Sequence, residues 1–213
     1  MFNIPKTLYQ WKSIMINPGF KRKKENTRHS LPPGQYLEEG FPILTAGPTP
    51  HIKLDEWAFE IKQDNSSLAR WTWKEFTKLP ISDWTTDIHC VTKWSKFNTH
   101  WRGIFIDDIL SDAKLKLRGG YFMAECEGGY TTNLPVEDVV NRKGMIAIEY
   151  NGQPIEPAHG GPARLLVPHL YFWKSAKWIK SIWLMNEDVS GFWESNGYHM
   201  YGDPWKEQRY YND

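Results

Sequence analysis

The sequence has only two cysteines, Cys90 and Cys126, in 213 residues. That scarcity excludes a disulfide scaffold, and a chain of this length buries enough surface to fold without one. Ligand pairs of the kind that hold structural zinc are missing as well, since neither a Cys-x-x-Cys nor a His-x-x-x-His spacing occurs. Charge of one sign is missing too. Lys and Arg number 26 against 25 Asp and Glu, so no overall field draws the chain to nucleic acid or to an anionic membrane. The longest apolar runs, at 145–148 and 165–167, fall far short of the roughly 20 residues that span a bilayer. The N-terminus shows neither a charged-then-apolar leader nor a twin-arginine signal, and the expected location is cytoplasmic.

Aromatic residues, by contrast, are plentiful. Twelve Trp and ten Tyr each join a flat apolar body to a hydrogen-bonding tip, which suits a cofactor cleft or a carbohydrate surface. On the second reading Trp71, Trp73, Trp84, Trp94 and Trp101 form a stacking platform in a non-enzymatic, aromatic-rich ligand-binding module.

Residues 1–40 carry the basic run Lys21, Arg22, Lys23, Lys24 and then Pro32 and Pro33, without sustained apolar periodicity. They are expected to be an N-terminal arm leading into one domain over 41–213. Trp57, Phe59 and Ile61 alternate with polar residues as on a half-buried strand, and Thr72 is placed to cap a short helical pattern through Trp73, Phe76 and Leu79. Further strands are expected at 86–91, 121–126, 145–150, 164–168 and 181–185, with helices at 104–111, 136–141 and 173–177. Asn151 and Gly152 are a hairpin signal, because both central positions of such a turn need positive φ. Helices this short do not support regular βαβ winding, so the fold class is α+β, with mixed, mostly β sheets.

Two groups of residues could carry chemistry. Cys90 ends the β-patterned segment 87–92 and leads into a stretch rich in Lys, Ser, Asn and Trp, a place where a scaffold presents a reactive group; a small core residue is the competing reading. His159, Gly160, Gly161, Pro162, Ala163 and Arg164, with Lys177 beyond, offer glycines that admit a close anion, a planar guanidinium fork and a point charge. An anion cradle and a Gly-Pro turn with solvated charges fit this second group equally.

Taken in order, His159 to Arg164, then Ser175, Ala176, Lys177 and Trp178, resemble the pterin-phosphate segment of the sulfite oxidase family. Cys90 matches that family's single protein ligand to the metal, residues 90–95 with Trp101, Arg102 and Gly103 resemble its bacterial members, and the ending from Gly191 to Trp205 is similar to a small bacterial and archaeal branch. The resemblance implies the sulfite oxidase fold, and a molybdopterin-binding catalytic domain over 41–213 with a C-terminal tail. It implies molybdopterin as cofactor, with tungsten as the alternative metal. Cys90 would bind the metal; Thr45, Ala46, His159, Arg164, Ser175, Ala176 and Lys177 would contact the cofactor; Tyr130 would stand near the substrate. Soft sulfur ligands leave oxo positions free for chemistry. The expected reaction is a two-electron oxygen-atom transfer on a small sulfur or nitrogen oxide or oxyanion. After Cys90 the chain does not follow the sulfite oxidase pattern, which disfavours sulfite itself. The sequence ends soon after these segments, so a separate electron donor or acceptor protein is expected.

Overall fold

The computed structural model describes residues 30–213 apart from 65 and 118. The basic run at 21–24 and the remainder of the expected arm through residue 29 lie outside the described residues. Among the described residues the strands are β1 (Tyr36–Leu37), β2 (Ala58–Gln63), β3 (Ser66–Thr72), β4 (Ser82–His89), β5 (Trp94–Phe105) and β6 (Tyr121–Cys126). They continue as β7 (Thr131–Pro135), β8 (Met145–Tyr150), β9 (Gln153–Pro154), β10 (Arg164–Leu166) and β11 (Ile179–Met185). Three short helices are α1 (Trp73–Phe76), α2 (Ile106–Asp112) and α3 (Phe192–Ser195).

Local sequence explains several boundaries. Thr72 opens α1, its backbone N–H and hydroxyl both donating to the Glu75 carboxylate at 2.8 and 2.6 Å. Asn151 (φ 49°) and Gly152 (φ 74°) turn β8 into β9, pairing Tyr150 with Gln153. The helices expected at 136–141 and 173–177 are only 3-10 turns, Val136–Asp138 and Phe172–Lys174. At 104–111 the first two residues belong to β5, and α2 begins at Ile106.

The strands form two sheets. In one, β1, β5, β8 and β10 lie in that order, with β4 also on β5 and β9 also on β8. In the other the order is β3, β2, β11, β6, β7. Successive side chains of a strand point to opposite faces, and the first sheet uses this to separate two cores. Ile104, Ile146, Ile148 and Leu165 join Phe59, Ile61, Phe122 and Ile182 of the second sheet in the larger core between the sheets. Phe105, Met145, Ala147 and Leu166 face the other way and meet Ile88, Cys90, Trp94, Trp101 and Phe172. Arg164 shares the Leu166 face of β10. Cys90 and Arg164 therefore stand on one side of the sheet, away from the inter-sheet core.

Leu31–Asp213 constitute one compact unit. Its first ten residues overlap the arm expected to end at 40, because Tyr36 and Leu37 pair in parallel with Trp94 and Ser95 of β5. The stacking platform is overturned: Trp71 lies in the inter-sheet core, while Trp94 and Trp101 lie in the second. With Trp71, Trp94 and Trp101 all buried, these rings pack the interior and offer no shared surface to a glycan.

Candidate active site

Cys90 does not run into a loop, because the Lys-, Ser-, Asn- and Trp-rich stretch after it is mostly β5. It opens a tight turn that reverses β4 into β5: the Cys90 carbonyl accepts from Lys93 N–H at 3.0 Å, and Cys90 N–H donates to the Trp94 carbonyl at 2.8 Å. Lys93 takes φ 75°, the left-handed residue that such a hairpin loop needs. The thiol is 6% exposed and accepts from the Thr92 hydroxyl at 3.1 Å. Burial pushes its pKa up; the Thr92 hydroxyl, the Thr92 and Val91 N–H groups and the Arg209 charge oppose that shift. Without a metal the group is a thiol, hydrogen-bonded and largely shielded from water, and a bound metal would displace its proton. Cys126 differs: it is a free thiol sealed in the inter-sheet core, where desolvation holds it protonated.

The basic residues come together. Pro157–His159 is a 3-10 turn closed by Gly160 at φ 107°. A Cβ on Gly160 would meet the Lys177 side chain at 2.9 Å, and one on Gly161 would strike the Ile155 carbonyl, so both glycines are required for this approach. Their N–H groups donate to the Pro157 and Glu156 carbonyls at 3.1 Å each. The turn consumes the donors expected for an anion, and side chains must supply the rest.

Arg164, 1% exposed, donates to the His159 and Ser175 carbonyls at 2.6 Å each, and its plane lies 4.2 Å over Phe172. Ser175 Oγ accepts from Val167 N–H at 2.9 Å, keeping its own proton to donate. Ala176 is buried, and its carbonyl holds Leu165 N–H at 2.8 Å. Lys177 Nζ reaches the Ala158 carbonyl at 2.7 Å and the Leu44 carbonyl at 2.8 Å. Thr45 and Ala46 are exposed beside it, the Thr45 hydroxyl donating to the Gly47 carbonyl at 2.7 Å.

No carboxylate forms an ion pair with Arg164 or Lys177 among the described residues. Burial lowers the Arg164 pKa to about 9. Burial and then the Arg164 charge lower Lys177 to about 8. Burial, Arg164 and Lys177 lower His159. Arg164 Nε and His159 Nδ1 are buried without a hydrogen-bond partner, and an unmet buried polar group is costly. Crowded, desolvated positive charge with unmet polar atoms is what an anion would relieve.

An aromatic floor joins the cradle to the thiol. Phe41 stacks on His159 at 4.1 Å and meets Tyr150, Phe172, Trp101 and Trp94 at 5.1, 5.9, 6.1 and 6.2 Å. Tyr130 lies against the turn that leads into Ser175. Its hydroxyl donates to the Trp173 carbonyl at 2.7 Å, its ring leans on Phe192, and burial with nearby Glu194 keeps the phenol neutral. Among the described residues neither a hydrogen bond nor a ring contact joins Tyr130 to Cys90.

Sequence reasoning missed Gln35, Phe41, Thr92 and Arg209. Only Thr92, two residues from the thiol, had a local signal. A free, nearly enclosed thiol and a basic cradle without carboxylate partners, linked by the Phe41 ring cluster, fit a phosphate-bearing metal cofactor.

Residues 46–193 match the model of the oxidoreductase molybdopterin binding domain. The chain is 38% identical over 191 residues to the oxidoreductase YuiH of Bacillus subtilis, covering 89% of this chain and 96% of that one. It is 27% identical over 132 residues to the putative protein-methionine-sulfoxide reductase subunit YedZ1 of Azospira oryzae, covering 62% of this chain and 50% of the relative. The sulfane dehydrogenase SoxCD of Paracoccus pantotrophus shares the fold, with a TM-score of 0.57 at 19% identity over 65% of this chain and 40% of that one. The chain belongs to the oxidoreductase molybdopterin-binding family and has the sulfite oxidase fold. It is a molybdenum-cofactor oxidoreductase.

Proposed function

We propose that this enzyme carries out a two-electron oxygen-atom transfer on a small sulfur or nitrogen oxide, with Cys90 as the protein ligand to the metal and a separate protein as electron donor or acceptor. The observation that carries the reading is the Cys90 thiol itself, free, nearly enclosed and capped by the Thr92 hydroxyl at the tip of a hydrogen-bonded turn. When bound, the molybdenum cofactor supplies the redox change and the exchangeable oxygen. The chain supplies the rest. Thr92 steadies the sulfur, Lys177, Arg164, Ser175 and His159 receive the phosphate, and the aromatic floor excludes water.

The surroundings of Cys90 favour a neutral oxide over a strongly charged oxyanion. Of the two cations at the Cys90 turn, Arg209 is committed to the Val91 and Pro33 carbonyls, which leaves the exposed Lys93 alone to meet a sulfite-like anion. Similarity to a putative protein-methionine-sulfoxide reductase subunit of Azospira oryzae also supports a sulfoxide.

Purified metal-loaded protein, supplied with electrons by a reduced viologen dye, should turn over methionine sulfoxide or an N-oxide, and leave sulfite and nitrate largely untouched. Turnover of sulfite with an artificial electron acceptor, and of no neutral oxide, would overturn this choice of substrate.

A further inference from the structure

The Cys90 turn is held from both ends of the chain, by residues outside the 46–193 stretch that matches the family model. From the N-terminal side, Gln35 Nε2 donates to the Cys90 carbonyl at 3.0 Å, and its Oε1 accepts from the Ser95 hydroxyl at 3.3 Å. From the C-terminal side, Arg209 Nη1 donates to the Val91 carbonyl at 2.7 Å and Nη2 to the Pro33 carbonyl at 3.3 Å. One guanidinium thus ties the residue after the thiol to the segment that carries Gln35.

Arg209 is 7% exposed. Its plane lies 4.9 Å over the Tyr171 ring, and the Glu207 carboxylate is 3.8 Å away. Its backbone is fixed too: Arg209 N–H donates to the Asp213 carboxylate at 2.9 Å, and its carbonyl accepts from His199 N–H at 3.2 Å. A bridge between Tyr198 and Tyr210 completes the clasp. A planar fork that spans two carbonyls while resting on an aromatic face is a geometry that arginine provides and lysine does not.

We propose that Arg209 is a positioning residue for the metal ligand: by fixing the peptide that follows Cys90, it sets the angle at which the thiolate meets the metal. The proposal rests on the reading of Cys90 as that ligand. Arg209 touches neither cofactor nor substrate in this role. A charge-assisted bond of this kind, once lost, corresponds to roughly a tenfold rise in the opened population of the turn.

The test compares full-length Arg209→Met and Arg209→Lys with wild type and with Lys206→Ala, a tail variant that leaves the turn untouched. Two readouts are needed. Amide hydrogen exchange over residues 88–96 of the cofactor-free protein reads the turn itself, and the thiolate-to-metal charge-transfer absorption of the loaded protein reads the angle. Arg209→Met should exchange about tenfold faster there and shift the absorption band. Arg209→Lys should recover both in part, and Lys206→Ala should match wild type.

If Arg209→Met does not fold, Arg209→Lys decides with the same two readouts. Wild-type exchange and an unshifted band in a folded Arg209 variant would overturn the proposal, as would a lowered melting temperature without a band shift. Failure of the ligand reading is distinguishable: Cys90→Ser would then keep the band, whatever the Arg209 variants do.

Discussion

Lys177 Nζ donates to the Leu44 carbonyl at 2.8 Å across 133 positions of chain, so one ammonium pins the exposed loop at 44–47 to the basic cradle. The same group sits beside Arg164 with its pKa lowered to about 8, which makes its charge sensitive to mild alkali. A cofactor-free protein should therefore bind inorganic pyrophosphate more weakly as pH rises from about 7 to about 9, beyond any change that pyrophosphate's own titration produces. Lys177→Met should bind weakly throughout and lose that part of the pH dependence. Calorimetric titration of both proteins in parallel checks this, and identical pH profiles would contradict it.

The stability of the cofactor-free protein carries the opposite sign. The folded-state pKa of Lys177 lies below its unfolded value, so between about pH 8 and about pH 10 the unfolded chain binds the proton that the folded chain has released. Stability should rise with pH across that window relative to Lys177→Met, as urea midpoints taken at each pH would record. A fall relative to the variant would mean that Lys177 gains a counter-ion on folding.

Arg164 holds two carbonyls that no other side chain reaches among the described residues, at His159 and Ser175. Arg164→Lys cannot span both, and the lost charge-assisted bonds should cost about 2 kcal/mol. Urea unfolding measures that directly. Added pyrophosphate should stabilise wild type more than the variant, because part of the cost in wild type is a buried charge without a counter-ion.

The buried pair of Lys174 and Glu194, 2.6 Å apart at 1% and 0% side-chain exposure, fastens α3 to the turn Phe172–Lys174. Lys174 Nζ also donates to the Asn133 and Met200 carbonyls at 2.9 and 2.7 Å. Lys174→Met strands a carboxylate and should cost roughly 3–5 kcal/mol. Combining it with Glu194→Gln should recover part of the loss, and a fully additive double variant would contradict the pairing.

Much of this architecture was legible in local sequence. Alternation gave β2, β6, β8 and β11, Thr72 gave the start of α1, and Asn151 with Gly152 gave the hairpin. The central strand β5 was hidden because Asn98, at φ 53°, breaks the alternation and because Ser95 and Thr99 are buried polar residues. β7 was hidden by its polar run, in which Thr132 and Asn133 are buried against Glu194 and Lys174. The cradle residues were readable through their motif. The clasp of Gln35 and Arg209 on the Cys90 turn was not, since its bonds span 55 and 118 positions and no local pattern encodes them. The motif also suggested free glycine N–H donors, whereas the turn at 157–161 uses them internally.

The central claim is that Cys90 binds the cofactor's metal, and X-ray absorption at the molybdenum edge tests it most directly. Wild-type protein loaded in a cofactor-producing host should hold roughly one molybdenum per chain. Cys90→Ser should show one sulfur neighbour fewer around the metal and lose its activity. A sulfur shell and activity unchanged between wild type and Cys90→Ser would contradict the account.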